Sequence, residues 1–319
     1  LAVGSHDITV RGFAQSGRSD ATGASDATAS VHLTAIAPAT TQRPEYETAV
    51  LAHSFAGDGG GITITSSNFS NASNVVTNDP NEKAVATNLE SYIMFSGFGG
   101  QRIDWVVIYA HNLDTFDSDY FTFELKTKLG AAAWNTHDIS GLVNAPIIPI
   151  RINATVDRIA LNFDHALVYR DFYEIGRICI IAHDDNTIQT SENFAENARW
   201  IPATDYTAFN ATASNRYAAN AVNVNGVEVE WADVSEADRV LLDDFYRSAQ
   251  RHNPVIFIGR PEICPDIADD PPAWDDTDDC KQSRNLCVYG YIDNADFPWT
   301  LGFLGRGSAG LRIKEAAES

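Results

Sequence analysis

The chain has 319 residues, 22 Lys plus Arg against 43 Asp plus Glu, and a formal net charge of -21, which makes a basic nucleic-acid-binding protein a poor fit. Hydrophobic residues at 44% and aromatics at 10% are enough to bury a sizeable core, so the charge does not imply disorder. No apolar run reaches the roughly eighteen residues of a membrane-spanning helix, and the chain is expected to be soluble or embedded in a soluble assembly.

Residues 1–84 are rich in Ala, Ser, Thr, Gly and Asn and poor in long apolar side chains, with brief alternation at Asp7–Arg11 and Val31–Ile36. Such a segment cannot easily build its own core. It reads as an extended arm, a small β-element docked on the rest, or a contact surface for a neighbouring subunit. Gly59, Gly60 and Gly61 ahead of Ile62–Thr65 look like a turn entering a strand.

Residues 85–182 change character. Strand patterns recur at Arg102–Ala110, Tyr120–Leu125, Ile147–Ile152, Arg158–Phe163, Ala166–Tyr169 and Tyr173–Ile181, without long amphipathic helices between them. That spacing predicts a jelly-roll-like β-sandwich in preference to a βαβ sheet. Residues 183–234 read as a loop-rich connector ending in a hairpin, with Ala221–Asn225 and Val227–Trp231 folded about Asn225-Gly226.

Residues 235–319 read as a second β-rich unit with one amphipathic helix. Ser235 to Asp238 form a capping box, and Ala237, Val240, Leu241, Phe245 and Ala249 are predicted to share the buried face. Strands are expected at Pro254–Gly259, Asn285–Ile292, Trp299–Leu304 and Leu311–Glu315. The fold class is therefore mainly β.

Candidate chemistry is thin. The four cysteines have no C-x-x-C spacing: Cys179 is expected in a buried strand, while one disulfide among Cys264, Cys280 and Cys287 would clip a loop. Glu262 to Asp279 contains eight acids and no base. Calcium could use such carboxylates, but the spacing is not that of an EF-hand and Pro265, Pro271 and Pro272 stiffen the run, so a solvated acidic loop is the favoured reading. His111 with Asp104, Asp114 and Asp117 could form a base–carboxylate pair, yet no nucleophile or P-loop motif accompanies it, and the His111-Asn112 step reads as a loop tie.

His183 with Asp184 and Asp185 lacks a third metal ligand. Glu228 and Glu230 share a strand face but would need an aromatic cleft to act as glycosidase carboxylates. Gly305 to Gly310 spells G-x-G-x-x-G with only nine residues after it, too few for a dinucleotide-binding unit, and reads as a turn between strands. Six tryptophans, Trp105, Trp134, Trp200, Trp231, Trp274 and Trp299, offer binding surface, with Trp274 among acids suited to stacking on a sugar or filling a partner's pocket. N-x-[ST] triplets begin at Asn68, Asn71, Asn153 and Asn210. No catalytic, cofactor-binding or metal-ligating residue is assigned, and no enzyme activity is expected.

The strand Ile103–Leu113, the later Tyr173–Ile180 and the segment Phe245–Ile258 together resemble structural proteins of tailed bacteriophages, in which a β-sandwich of carbohydrate-binding-module appearance sits in a tail or virion component. The resemblance covers roughly residues 85–319. It implies a non-enzymatic virion subunit, in the tail or tail tip, whose partners are copies of itself, other virion proteins and host-surface carbohydrate, with no direct nucleic-acid contact and no membrane span. It also implies structural roles for Arg177 and Arg260, with Arg177 paired to Asp171 or Glu174. A glycan-binding or adhesion protein is the alternative, and a capsid-decorating protein or glycoside hydrolase stands behind it.

Overall fold

The computed structural model describes residues 50–316 apart from 58–60, 114–119, 144, 146, 166–171, 184–186, 190–198, 202–225, 235, 250–252, 260, 270, 275–286, 294–298 and 302–306. In chain order the strands are β1 (Val50–His53), β2 (Thr63–Ser67), β3 (Phe69–Ser70), β4 (Ala84–Ala86), β5 (Ser91–His111), β6 (Phe121–Lys128), β7 (Asn135–Asp138), β8 (Ile147–His165) and β9 (Glu174–Ala182). They continue with β10 (Thr187–Gln189), β11 (Arg199–Ile201), β12 (Gly226–Val234), β13 (Val255–Ile258), β14 (Cys287–Ile292), β15 (Trp299–Leu301) and β16 (Gly307–Glu315); one helix, α1 (Glu236–Ala249), lies between β12 and β13. The protein is mainly β, as expected, and its described strand pairs are antiparallel.

The first sheet has the order β3-β4-β9-β5-β8-β6-β7, with β2 on β5. Its two long strands bend. Register shifts fall between Ser96 and Gln101 and between Ile103 and Trp105, where Gly97, Gly99 and Gly100 take φ of 106°, 63° and 77°, a left-handed backbone that costs glycine little. The bulges change the side-chain parity, so Ile93 and Phe95 before the bend face the same core as Val106 and Ile108 after it. Phe123, Leu125, Ile148, Ile150, Leu161, Phe163, Ile178 and Ile180 complete that interior. The curled sheet is a sandwich, and Arg158–Phe163 continues Ile147–Ile152 within β8.

The second sheet runs β10-β1-β13-β14-β16-β12-β11, with β15 on β16. One of its faces meets the back of the sandwich: Trp105, Val107, Tyr109, Cys179 and Ile181 pack with Val50, Ala52, Ile256, Ile258, Cys287 and Tyr289. Its opposite face carries Leu51, Val255, Phe257, Val288, Leu311 and Ile313, which α1 covers with Leu242, Phe245 and Ala249. Backbones approach closely at two glycines. A Cβ on Gly176 would collide with the Pro80 carbonyl and come within 2.7 Å of Ala110 Cβ, and one on Gly290 would collide with the Lys314 carbonyl.

Several sequence expectations change here. Of residues 1–84, read as an extended arm, a docked β-element or a contact surface, β1 lies between β10 and β13 in the second sheet, while β2, β3 and the start of β4 belong to the first; residues 1–49 lie outside the described residues. The helix buries Leu242 in place of Val240 and Leu241, which are 43% and 56% exposed. The described partners of β12 are β11 and β16; the first strand of the hairpin expected about Asn225-Gly226, residues 221–225, lies outside the described residues, as do Ala166–Tyr169 and Ser235. Strand β15 pairs antiparallel with β16, so Gly307–Gly310, read as part of a turn, lie within β16 itself, while Gly305 and Arg306 lie outside the described residues. Cys264 and Cys287 form no disulfide with each other, and Cys280 lies outside the described residues.

Candidate binding face

Strand alternation decides which sheet surface stays open. Along β6 the odd positions Phe121, Phe123, Leu125 and Thr127 are buried, leaving Thr122, Glu124, Lys126 and Lys128 outward. Along β5 before its bend, Ile93 and Phe95 point in and Tyr92, Met94 and Ser96 point out. The outward side of β2, β5, β8, β6 and β7 is covered by no element among the described residues, whereas both faces of the second sheet and the back of the sandwich are packed.

Register arranges this face in rows. Ser67 lies opposite Tyr92, Tyr92 opposite Asn162, Asn162 opposite Glu124 and Glu124 opposite Asp138. The next row contains Thr65, Met94, Ala160, Lys126 and Thr136, and the one beyond it Thr63, Ser96, Arg158 and Lys128. On the other side of the Tyr92 row, Thr122 stands opposite Asp164.

A trough of about 390 Å³ opens at the Tyr92 row, walled by Asn68, Glu90, Tyr92, Thr122, Glu124, Asn162 and Asp164. Tyr92 is 36% exposed, and its ring supplies a flat apolar surface with a polar tip. Asn68 is held by its amide donating to the Glu90 carbonyl at 2.7 Å. Glu124 is held by Lys126 at 2.8 Å. Amide groups that both donate and accept, beside carboxylates that accept in pairs, suit a ligand carrying several hydroxyls.

A larger recess of about 680 Å³ is walled by Phe55, Ala56, Ile62, Asn78, Phe98, Gln101 and Ala182 among others. None of its lining side chains is ionisable, and it brings no chemistry together.

Sequence-derived candidates are dispersed. His111 Nδ1 accepts from the Leu113 amide at 3.2 Å, and Asn112 donates to the Phe172 carbonyl at 3.0 Å while accepting from Glu174 N–H at 2.8 Å, so the loop tie is what forms. Asp104 pairs instead with His183, Nδ1 to Oδ2 at 2.7 Å, and with Arg102 at 3.2 Å. No nucleophile contacts His183 among the described residues. Asp114, Asp117, Asp184 and Asp185 lie outside them.

The acidic run is not simply a solvated loop. Asp266 pairs with buried Arg151 at 3.4 Å, the Arg151 amide donates to Pro265 and its carbonyl accepts from Ile267, and Ile263 and Trp274 are buried. Trp274 therefore belongs to the sandwich core and not to a sugar platform. Among the described residues no group of His, Cys, Asp and Glu could hold a metal; the four acids from 275 to 279 lie outside them.

Trp105 is buried, Trp134 lies beneath the Lys128 ammonium, and Trp299 packs beside α1. Glu228 is exposed on β12, in register with Arg199 and Arg312. Arg177 donates to the Thr77 carbonyl at 2.9 Å, while Glu174 pairs with Lys83. Asn68, Asn71 and Asn153 are exposed with positive φ.

The face itself was missed in sequence, although a signal exists. Phe121–Lys128 alternates apolar with polar residues, the mark of a strand with one wet side, whereas Tyr92–Phe95 is an unbroken apolar run.

No family model matches the chain, and no curated protein matches it. Among solved structures, it is similar to the module CpGH89CBM32-6 of Clostridium perfringens at 14% identity, over 38% of this chain and 94% of that one, with a TM-score of 0.30. A pectin-binding carbohydrate-binding module matches at 14% identity over 41% of this chain and 94% of its own, TM-score 0.29. The family 32 module of C. perfringens NanJ, solved with galactose, matches at 8% identity over 40% and 97%, TM-score 0.31. These are carbohydrate-binding β-sandwiches, and none is described as a virion protein. No described helix is long and apolar enough to cross a membrane.

Proposed function

We propose that the protein is a non-catalytic glycan-binding protein that holds saccharide on the open face of its sandwich. The observation that carries this reading is the Tyr92 trough: an aromatic ring flanked by Asn68, Asn162, Glu124 and Asp164 on the one sheet surface that no described element covers. Aliphatic C–H faces of a sugar lie against an aromatic ring, and its hydroxyl pairs exchange hydrogen bonds with amides and carboxylates. Tyr92, Asn162, Glu124 and Asp164 stand on paired strands and Asn68 is tied to the Glu90 carbonyl, so the array is held in place before a ligand arrives and little is lost on binding.

The test is retention on a panel of immobilised polysaccharides, wild type against Tyr92→Ala. Retention of the wild type, weakened at least about tenfold in the variant by loss of aromatic contact, is the expected result. Retention unaffected by the substitution would move the site elsewhere, and no retention on any polymer would sink the reading. A virion-assembly role would show itself differently: a defined wild-type oligomer in light scattering, dispersed by Tyr92→Ala, without glycan affinity.

A further inference from the structure

We infer that the ligand of this face is an extended anionic saccharide, an inference that rests on the glycan-binding reading above and adds its charge and length. The face is polarised along its strands. Carboxylates gather at the trough, where Glu90, Glu124 and Asp164 line the wall. Two rows away, Arg158 and Lys128 stand opposite each other in register.

These two cations have nothing to neutralise. Lys126, between them and the trough, is held by Glu124 at 2.8 Å, and the carboxylate of Asp157 accepts from the Gly130 amide. Among the described residues neither Lys128 nor Arg158 makes an ion pair. Lys128 Nζ lies 5.6 Å from the centroid of the Trp134 ring, a position that holds the ammonium over an aromatic face without consuming its charge. In a chain of net charge -21, two adjacent cations with no ion-pair partner among the described residues, on a sheet face that no described element covers, are a local exception, and one that a neutral glycan would leave unused.

Distance sets the length. Tyr92 and Ser96, the partner of Arg158, are four residues apart on one strand, about 13 Å at roughly 3.3 Å per residue. One sugar ring on Tyr92 cannot reach that far. A chain of linked sugars running along the strands can place a carboxylate or sulfate at Arg158 and Lys128 while another ring rests on Tyr92. Glu90, Glu124 and Asp164 repel an anionic group at the trough itself, which sets the register of the chain: its acidic groups are drawn to Arg158 and Lys128, where charge-assisted hydrogen bonds act at contact, and the rest of the protein's negative charge is screened beyond about 8 Å.

The experiment measures affinity by electrophoresis through gels containing polygalacturonate, neutral galactan or chitosan, at low and moderate salt. Wild type, Lys128→Gln/Arg158→Gln and Tyr92→Ala are compared, with matching melting curves as the check on folding. Wild type should prefer polygalacturonate over galactan, and the preference should weaken with salt. The double variant should lose about tenfold per removed contact on polygalacturonate while keeping its galactan affinity; Tyr92→Ala should weaken both. Equal affinity for the acidic and neutral polymers, a preference for chitosan, or a double variant indistinguishable from wild type would overturn the inference and leave glycan binding standing. Retardation by none of the three polymers would overturn both.

Discussion

The hydroxyl of Tyr109 on β5 donates to the backbone carbonyl of Ala316 at 2.5 Å, joining residues 207 positions apart. The same Ala316 donates its amide to the Tyr289 carbonyl at 3.0 Å, and the Tyr109 and Tyr289 rings lie 5.1 Å apart. Beside them Arg177, fully buried, places its guanidinium 5.4 Å from the Phe55 ring and 5.9 Å from that of Tyr289. A seam of apolar residues pinned by a few hydrogen bonds therefore fixes the second sheet to the back of the sandwich, and it is this docking that leaves the Tyr92 side as the open one.

Tyr109→Phe keeps the ring and removes the pin. With the Ala316 carbonyl buried and short of one donor, the loss should be about 1–3 kcal/mol. Urea denaturation should show a lower midpoint with an unchanged slope, and an unchanged midpoint would mean that the contact contributes nothing.

The helix offers a sharper contrast between neighbours. Leu242 is buried against the second sheet, and Leu241 is 56% exposed. Leu242→Ala should cost about 2–5 kcal/mol through lost burial and the cavity left behind, while Leu241→Ala should stay within about 0.5 kcal/mol. Comparable losses at the two positions would show that the helix is rotated from the orientation described.

That pair also marks where sequence reasoning stops. Helical spacing allowed either Leu241 or Leu242 to join Phe245 and Ala249, since the step from 241 to 245 and the step from 242 to 245 both keep residues on one side; the sheet beneath chooses the second. The β character of Arg102–Ala110, Ile147–Ile152 and Tyr173–Ile181 was legible because apolar runs of that length suit strands buried on both faces. Their layering was not, since the parity switch between Ile103 and Trp105 depends on pairing with β8 and β9, far along the chain. The assignment of β1 to the second sheet is likewise invisible locally: Val50–His53 is four residues long and its partners begin at 187 and 255. The candidate face carries no local motif of histidines, tryptophans or acids; it is made by register, which brings Tyr92, Asn162 and Glu124 side by side from three strands.

Alkaline pH provides the last prediction. Burial is the main cause that pushes the Cys287 and Cys264 thiols up, with nearby thiols and Glu315 adding to it for Cys287 and Glu262 for Cys264. In the unfolded chain a thiol ionises near pH 8.5, while in the folded protein both thiols keep their protons well beyond it. The stability they contribute is therefore fully present below about pH 8.5 and is lost as pH rises, because the unfolded state releases protons that the folded state retains. Each such thiol should cost about 1.4 kcal/mol per pH unit above that point, and buried Tyr173, also pushed up by burial and by Asp164, should add to the loss above about pH 10. Urea denaturation under reducing conditions should give equal stabilities at pH 7 and 8 and a steep decline by pH 10, shallower in Cys287→Ala when each variant is compared with itself at pH 7. A variant whose decline matches that of the wild type would show that Cys287 ionises as freely in the folded protein as in the unfolded chain.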